Sequence, residues 1–396
     1  MSFLACFPRE TYSDHLMESL LVYDDSPVFG GHEVMSLHGL DGLLEHSEVF
    51  LHVFYSQANE RLHQELTTRL PHPRLALESL AFHSSKIQSL LHHFQRKRLA
   101  ELATRFRSCG APRLLAIQGN IEHSSLGILA AKQAGIESLS YLPVPHSHRD
   151  MGAKGAFLRD PLTRPLFRKP DRFLTISAEM KRLLRLQGAT APIDIVFNGI
   201  DAERFQATAR PAAKEKLHLP SERFVIGMVG RIEFSQKRQH LLVEAISESP
   251  SLRASSHLAF AGTGPDEPAL RSLLQERGLA DQSTLLGWRD PSEVYPALDQ
   301  LVLPSRYEGV PLVMLEALAC GVPVIASDRD GMRDLLPAAW RFPSGSASAL
   351  RQVLTELSQH PPEADCLRLQ TLVREKMNLQ AFRQQFAESV LQPWEA

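Results

Sequence analysis

Two glutamates lie eight positions apart in a segment that is otherwise mostly apolar, residues 304–328. Glu308 precedes a predicted helix, while Glu316 lies inside it, in the run Val-Met-Leu-Glu-Ala-Leu-Ala. Pro311 near the start and Gly321 just past the end match the residue preferences of helix termini. An ionised carboxylate in apolar surroundings costs several kcal/mol unless it is hydrogen-bonded or paired. Glu316 therefore either neutralises a buried Arg or Lys, or accepts hydrogen bonds from a ligand with a diol, such as a ribose.

The spacing of these groups suits one elongated ligand. At about 1.5 Å of helical rise per residue, Glu308 and Glu316 stand roughly 12 Å apart or less. The free N–H groups of the intervening helix N-terminus would face a diphosphate, with Glu308 on a sugar and Glu316 on a ribose. The segment therefore predicts a nucleotide-sugar site.

Basic residues follow a strand predicted at 225–229. Arg231 comes directly after Gly230, and Lys237 precedes the next helix. Ligands of doubly wound domains bind at the carboxyl ends of the strands, and a helix dipole of about half an elementary charge cannot balance a diphosphate alone. Arg231 and Lys237 would supply the remaining positive charge that the diphosphate requires. The alternative is that they are ordinary surface charges of a solvated loop.

Two glycine turns are weaker candidates. Gly30 and Gly31 join the first predicted strand to a helix, and Gly262 and Gly264 follow the second strand of the later series. Glycine permits close approach of the backbone to a ligand. A plain tight turn is the alternative at both places.

Histidines and basic residues mark the first half of the chain. His146 and His148 follow the strand predicted at 139–142, where a neutral imidazole could bind a sugar hydroxyl or handle an acceptor proton. An exposed loop is the alternative, and the sequence does not choose between the two. Residues 86–107 form a basic amphipathic pattern, which indicates a solvated face, or contact with anionic lipid or an acidic acceptor.

Composition excludes several classes of protein. Lys and Arg number 43 against 45 Asp and Glu, without the basic excess of nucleic-acid binding. The four cysteines are widely spaced and form no CxxC pair, which fits a reducing cytoplasm and no zinc site. No export signal or membrane span is predicted, so the expected location is cytoplasmic, with peripheral contact at the inner membrane face left open.

Short apolar runs alternate with helical patterns along the chain, which is typical of parallel sheets. The pattern lapses into a polar, proline-interrupted stretch after residue 206 and then resumes. We therefore predict an α/β protein of two doubly wound Rossmann-like domains that face a deep cleft. Its parts are an acceptor-side domain at 1–206, a linker at 207–222, a donor-binding domain at 223–375 and a closing helix at 376–396.

Together these residues resemble the retaining, nucleotide-sugar-dependent glycosyltransferases of family 4, which have the GT-B fold. The resemblance is strong in the segments GMVGRIEFSQK, AGTGPDE, LLGW and PSRYEGVPLVMLEALACGVPVIASD, and looser in the Gly-Gly turn and FNGID of the first half. Two departures stand out. Arg231 and Lys237 are six positions apart where many members have five, and Asp330 stands in the first place of a usual Gly-Gly pair.

The resemblance implies roles for individual positions. Arg231 and Lys237 correspond to the pair that binds the donor diphosphate. Glu308 corresponds to the glutamate that contacts the transferred sugar, and Glu316 to the one that binds ribose. Backbone contacts to phosphate and sugar are implied for three further residues: Gly309, Val310 and Leu312.

The activity implied is transfer of a hexosyl group from a nucleoside diphosphate sugar to a hydroxyl of a glycan or lipid-linked acceptor, with retention, in polysaccharide, glycolipid or other glycoconjugate biosynthesis. A catalytically idle sugar-nucleotide-binding subunit of a polysaccharide assembly complex is the alternative, favoured by Asp330 alone. Asp328 and Asp330 imitate a metal-binding DxD motif, but basic side chains take the place of a metal. We therefore expect no cofactor, no required metal and no nucleic-acid partner.

Overall fold

The computed structural model describes residues 18–69 and 71–393. Its strands form two separate parallel sheets of seven and six strands. Both sheets have the strand order of doubly wound Rossmann-like domains, and strands such as Gln300–Leu303 are buried throughout because helices cover both faces. The predicted fold class is confirmed.

The first sheet has the spatial order β3-β2-β1-β4-β5-β6-β7. Its strands are β1 (Ser19–Asp24), β2 (Phe50–Ser56), β3 (Leu75–Leu80), β4 (Arg113–Ile117), β5 (Glu137–Tyr141), β6 (Arg172–Thr175) and β7 (Ile193–Ile195). Its helices are α1 (Gly31–His46), α2 (Glu60–Thr67), α3 (Gln88–Leu91), α4 (Arg96–Cys109), α5 (Ser125–Ala134), α6 (Ala156–Thr163) and α7 (Ala178–Gln187).

The second sheet has the order β10-β9-β8-β11-β12-β13. Its strands are β8 (Phe224–Val229), β9 (Ser256–Ala261), β10 (Ser283–Gly287), β11 (Gln300–Leu303), β12 (Val324–Ser327) and β13 (Arg341–Phe342). The helices from here to the end are α8 (Arg210–Lys216), α9 (Gln239–Ser247), α10 (Pro250–Ser255), α11 (Glu267–Glu276), α12 (Pro291–Val294), α13 (Leu312–Ala319), α14 (Met332–Leu335), α15 (Ala347–Gln359), α16 (Glu363–Lys376) and α17 (Leu379–Leu391).

Three strands lack the apolar run that marks the other strands in the sequence: β3, β7 and β13. All three lie at the edge of a sheet. An edge strand pairs on one side only and leaves part of its surface in water, so its sequence is shorter or more polar than that of a central strand. The three-residue β7, Ile-Asp-Ile, is an example.

The C-terminal segment, residues 363–391, consists of two helices rather than one. Helix α16 ends at Lys376 and α17 starts at Leu379. The side chain of Asn378 accepts a hydrogen bond from the Ala381 amide and so caps α17, while its backbone pairs with Ile200. This break returns the chain to the first domain.

Helix α17 packs against α1 at close range. A Cβ at Gly42 would lie 2.4 Å from the Arg383 carbonyl oxygen, so the two helices require glycine at that point. Helix α8, inside the predicted linker, is held to the second domain by Lys214, whose ammonium lies 2.9 Å from Asp299. The C-terminal helix thus belongs structurally to the first domain.

Direct contacts join the two domains beside the cleft. The Asn198 side-chain amide donates to the Val310 carbonyl at 3.0 Å, and the Arg306 guanidinium donates to the Asp150 carbonyl at 3.0 Å.

Cys109, Cys320 and Cys366 are free thiols, and Cys6 lies outside the described residues. Within the described ranges, no helix combines the length and apolarity that a membrane crossing needs.

Candidate active site

A cleft of about 950 Å³ separates the two domains, within the range of about 300–1,000 Å³ common for small-molecule sites. Both domains contribute to its walls. The predicted residues that line it are Gly31, Gly230, Arg231, Lys237, Gly262, Glu308, Gly309, Val310, Leu312 and Glu316. The structure therefore brings most of the predicted site together around one cavity.

Lys237 and Glu308 contact each other in this cleft. The Lys237 ammonium lies 2.5 Å from Oε1 of Glu308, whose side chain is 10% exposed. Lys237 comes just before α9, and Glu308 comes just before α13. The pair therefore places one positive and one negative group at the starts of two helices, side by side on the cavity wall.

Arg231 approaches the cavity from the loop after β8. Its side chain is largely exposed, with Nε 3.4 Å from Glu233. Gly230 has a φ of 128° and Gly262 a φ of 135°, which are costly for any residue with a side chain. A Cβ at Gly262 would lie 2.1 Å from the Gly230 carbonyl oxygen, so glycine lets these two loops pass closely beneath the ligand space.

The N-terminus of α13 also points into the cleft. Pro311 precedes the first helical residue, Leu312, and both line the cavity. Amides in the first turn of a helix lack intrahelical acceptors and attract anions. Gly309 is tightly enclosed, because a Cβ there would lie 2.8 Å from Ile176 and 3.0 Å from the Pro143 carbonyl oxygen of the first domain.

Glu316, in the middle of α13, is held in place by Tyr295. The tyrosine hydroxyl donates to Oε2 of Glu316 at 2.7 Å, and Tyr295 itself is fully buried. Burial raises the pKa of the Glu316 carboxyl, and the hydrogen bond from Tyr295 opposes that rise. Among the described residues, no Lys or Arg forms an ion pair with Glu316. The alternative that Glu316 neutralises a buried Lys or Arg is therefore excluded for these residues.

His32, at the start of α1 in the first domain, also lines the cleft, and sequence reasoning missed it. Its Nε2 lies 2.7 Å from Oε1 of Glu33, a fully buried side chain whose other oxygen accepts from the Gly30 amide at 2.6 Å. His32 lines the cavity, with its ring packed so closely on Gly119 that a Cβ there would clash. A carboxylate-backed imidazole can exchange a proton or hydrogen bond with a sugar hydroxyl.

A local signal for this arrangement exists in the sequence. Glu33 follows Gly30 at the three-residue spacing of a capping box and accepts from the Gly30 amide, although glycine has no side chain to supply the other half of that motif. Buried titratable side chains lie behind it. Burial and then the neighbouring Glu33 raise the pKa of Asp24 well above its usual value, and burial lowers the pKa of His123 to about 4, with a further contribution from His32.

Neither of the two predicted histidines is among the residues that line the cleft. Nδ1 of His148 lies 3.1 Å from Asp160 and Nε2 lies 3.7 Å from the buried Glu122. Burial lowers the pKa of His148. His146 is also buried and lies against Asp330 and the ring of Tyr307. A role of either in proton transfer stays a prediction.

The backbone conformation and the contacts of Asp330 explain why an aspartate can occupy the position where family members usually have glycine. Its φ is 56°, a left-handed conformation that Asp tolerates better than most residues. One carboxylate oxygen accepts the Glu308 amide at 2.9 Å, and the other lies 2.9 Å from Nε2 of His146. Burial alone would raise the pKa of Asp330, but His146, Arg329 and the Glu308 amide lower it below its ordinary value.

The remaining predicted residues support the walls without lining them. Gly30 caps α1, and a Cβ at Gly264 would lie 2.2 Å from the Ile232 carbonyl oxygen. Asp328 is engaged by Arg333 and Arg341. Across residues 18–69 and 71–393, no group of three or more His, Cys, Asp or Glu side chains is arranged to hold a metal ion.

Two Rossmann-like domains with a cleft between them define the GT-B architecture, and solved structures match it over the chain. HepE of Anabaena in complex with UDP is 17% identical, with a TM-score of 0.74 over 94% of this chain and 99% of that one. The complex of the same protein with UDP and glucose has a TM-score of 0.71. The fold is GT-B.

Sequence comparison gives the type of the second domain. Residues 223–360 match the family model described as glycosyl transferases group 1. The D-inositol 3-phosphate glycosyltransferase of Mycobacteroides abscessus is 36% identical over 159 residues, 39% of this chain and 36% of the relative. The putative colanic acid biosynthesis glycosyltransferase WcaL of Salmonella typhimurium is 29% identical over 248 residues, 59% of each chain. The matched region thus spans between 36% and 59% of these relatives.

Proposed function

We propose that this protein is a retaining glycosyltransferase that moves a hexosyl group from a nucleoside diphosphate sugar to an acceptor hydroxyl in glycoconjugate biosynthesis. The observation that supports this most strongly is the contact of Lys237 with Glu308 at the N-terminus of α13, inside a cleft walled by both domains. A cation, a carboxylate and free helix amides at one point suit a sugar diphosphate.

The donor would extend along α13. Its diphosphate would lie against Arg231, Lys237 and the first-turn amides, with the hexose beside Glu308. The ribose would donate to the oxygen of Glu316 that Tyr295 leaves unused. Trp288, Arg289 and Pro291 line the adjoining wall, where the base would lie. HepE, of similar fold, binds UDP and glucose, which supports a donor of this chemical class.

The chemical step breaks the bond between the anomeric carbon and the β-phosphate oxygen and forms a bond to the acceptor oxygen on the same face. The acceptor proton passes to the departing phosphate. Negative charge that develops on this phosphate is stabilised by Arg231, Lys237 and the helix amides, an electrostatic effect of about 2.7–4 kcal/mol for a single donor in other enzymes. Glu308 orients and stabilises the sugar.

The acceptor would enter from the first domain, where His32 faces the cavity. Its imidazole would bind the attacking hydroxyl, and Glu33 would fix the orientation of the ring. A glycan or a lipid-linked sugar supplies such hydroxyls. No metal ion or other cofactor is part of this proposal, because basic side chains supply the charge that the leaving phosphate requires.

A thermal-shift panel tests the donor class. UDP, GDP, ADP and their hexose conjugates are added to purified protein, and one nucleotide series is expected to raise the melting temperature. Incubation of that sugar nucleotide with acceptor mixtures should then release the nucleoside diphosphate. Binding without any release, in the presence of glycan and lipid acceptors, would favour the idle sugar-nucleotide-binding subunit. Absence of any shift across the panel would contradict the donor site itself.

A further inference from the structure

Large apolar side chains are exposed together on two neighbouring segments of the first domain. Phe94 is 86% exposed, Phe157 68% and Leu158 61%. We define the docking surface by six residues of helix α3 with the residues on either side of it, and of helix α6: Ile87, Leu90, Phe94, Phe157, Leu158 and Leu162. Half of the exposed large hydrophobic side chains of the described chain lie in these two short stretches, whereas isolated ones are ordinary at a protein surface.

Basic residues greatly outnumber acidic ones along the two segments that carry this docking surface. Residues 86–98 and 153–169 contain nine Lys or Arg and a single acid, Asp160, although the whole chain has a net charge of −2. Lys86, Lys97 and Lys154 are exposed. A surface of one charge sign with apolar tips fits a partner that is negatively charged outside and apolar beneath.

The two segments are fixed to each other. The Arg159 guanidinium of α6 donates to the Lys86 carbonyl. Buried Glu122 accepts from the Ser89 amide and hydroxyl on one side and lies 3.9 Å from Arg159 on the other. The exposed apolar side chains are therefore presented on a packed base.

The structure also corrects the amphipathic pattern predicted at 86–107. Its apolar positions do not form one face. Leu102 and Phe106 of α4 are buried in the domain core, whereas Ile87, Leu90 and Phe94 are exposed. The exposed apolar half of that pattern is continued instead by α6, which is far away in sequence.

The docking surface lies at the same edge of the first sheet as the cleft. Helix α3 follows β3 and helix α6 follows β5, while the Gly31 turn that lines the cleft follows β1. In a parallel sheet the carboxyl ends of all strands lie at one edge. A flat partner on this surface would therefore border the entrance to the proposed site.

We propose that the docking surface inserts its apolar side chains into the interface of an anionic lipid bilayer, with the surrounding Lys and Arg on the headgroups. A second copy of this chain is a poorer occupant, because it would bring the same positive charge to the contact. Bilayer binding stands independently of the proposed transfer. Only its consequence, access of a lipid-linked acceptor to the cleft, rests on the proposed function.

Flotation of the purified chain with vesicles tests this inference. Vesicles of phosphatidylcholine with phosphatidylglycerol should carry the protein upward, and vesicles of phosphatidylcholine alone should carry much less. Phe157→Ser with Leu158→Ser should lower the partition coefficient by about tenfold or more, because two large apolar side chains no longer insert. Arg96→Glu with Lys97→Glu should do the same and remove the dependence on phosphatidylglycerol.

Matched variants elsewhere separate this surface from general stickiness. Leu186→Ser with Leu367→Ser changes two exposed leucines, and Lys181→Glu with Arg277→Glu reverses two exposed charges. Both pairs should float like the unchanged chain. Equal flotation of docking-surface and control variants would overturn the inference, as would failure of the unchanged chain to bind anionic vesicles.

Two further readouts keep the outcomes distinct. Light scattering should show that the unchanged chain is a monomer. Self-association that is abolished by Phe157→Ser with Leu158→Ser would instead assign the surface to a second copy and overturn the proposal. The nucleotide thermal shift should be the same in every variant. A chain that floats but binds no nucleotide would contradict the proposed donor site alone, and one that binds nucleotide but does not float would contradict the docking surface alone.

Discussion

His146 of the first domain lies 2.9 Å from Asp330 of the second, from ring Nε2 to carboxylate Oδ1, and both side chains are buried. The other oxygen of Asp330 accepts the amide of Glu308, the glutamate placed beside the sugar. One carboxylate therefore joins the first domain to the backbone of the proposed site. A glycine at this place could not make either contact.

Asp330→Asn should lower the free energy of unfolding by about 1.5–3 kcal/mol, because a hydrogen-bonded buried charge is lost. Asparagine keeps the left-handed conformation accessible, so strain is not the cause. The native pKa of Asp330 lies below its unfolded value of about 3.9, so its contribution is present above that pH and lost as the pH falls through the native value. Urea unfolding at pH 7 measures it in full.

A double-mutant cycle with His146→Asn identifies the partner. The two changes should be coupled by about 0.5–3 kcal/mol. Asp328→Asn serves as the control, since it lies in the same loop, pairs with Arg333 and Arg341 and does not contact His146. Additive effects of the first two changes would show that the observed proximity contributes no interaction energy.

Lys237→Ala should lower the rate of transfer by about 100-fold or more, the usual effect of removing one donor that stabilises transition-state charge. Glu308→Gln should also be severely impaired, since the amide lacks the charge that orients the sugar. Lys216→Ala is the matched control, because Lys216 pairs with Glu293 and does not line the cleft. Product release from saturating donor, together with melting temperature, provides the measurement. Near-normal rates in either site variant would contradict the assigned roles.

Glu316→Ala should weaken nucleotide binding by about 1.5–3 kcal/mol, which is about 10- to 150-fold in Kd, because a ribose loses a charged acceptor. The rate at saturating donor should change less than the affinity. Calorimetric titration with the nucleotide identified by thermal shift gives both Kd values, and Glu356→Ala, an exposed glutamate paired with His360, controls for loss of charge. Unchanged affinity would mean that Glu316 serves only to accept the Tyr295 hydroxyl.

The contrast between these residues shows what the sequence could predict. Glu308 lies just before one short helix and Glu316 lies within it, so their spacing, the proline before the helix and the glycine after it are all local information. The two parallel sheets were likewise predictable from their central strands, which are buried on both faces. The edge strands β3, β7 and β13 were not, because part of their surface lies in water.

Contacts between distant residues lay beyond sequence reasoning. His146 and Asp330 stand far apart in the chain, and no local pattern pairs a histidine with a carboxylate across two domains. The sequence pointed to histidines after β5, whereas the imidazole on the cleft wall is His32. Only the capping-box spacing of Gly30 and Glu33 marked that turn, and it does not say which way the intervening side chain points.

His123 behind this turn should make stability depend on pH. Burial first, and then the nearby charge of His32, lowers its pKa to about 4, against about 6.5 in an unfolded chain. A depressed histidine pKa favours the neutral form in the fold, so its contribution is complete above about pH 6.5 and is lost as the pH falls towards 4. The loss amounts to about 3 kcal/mol.

His123→Gln should therefore remove about 2–3 kcal/mol from the difference in unfolding free energy between pH 7.5 and pH 4.5. The comparison with the unchanged chain is essential, because Asp24, whose buried carboxyl has a raised pKa, contributes with the opposite sign. His360→Gln, at a largely exposed histidine, should leave the pH dependence unchanged. Urea unfolding at both pH values measures the effect. If the unfolding free energies of His123→Gln and His360→Gln changed equally with pH, His123 would titrate in the fold as it does in the unfolded chain.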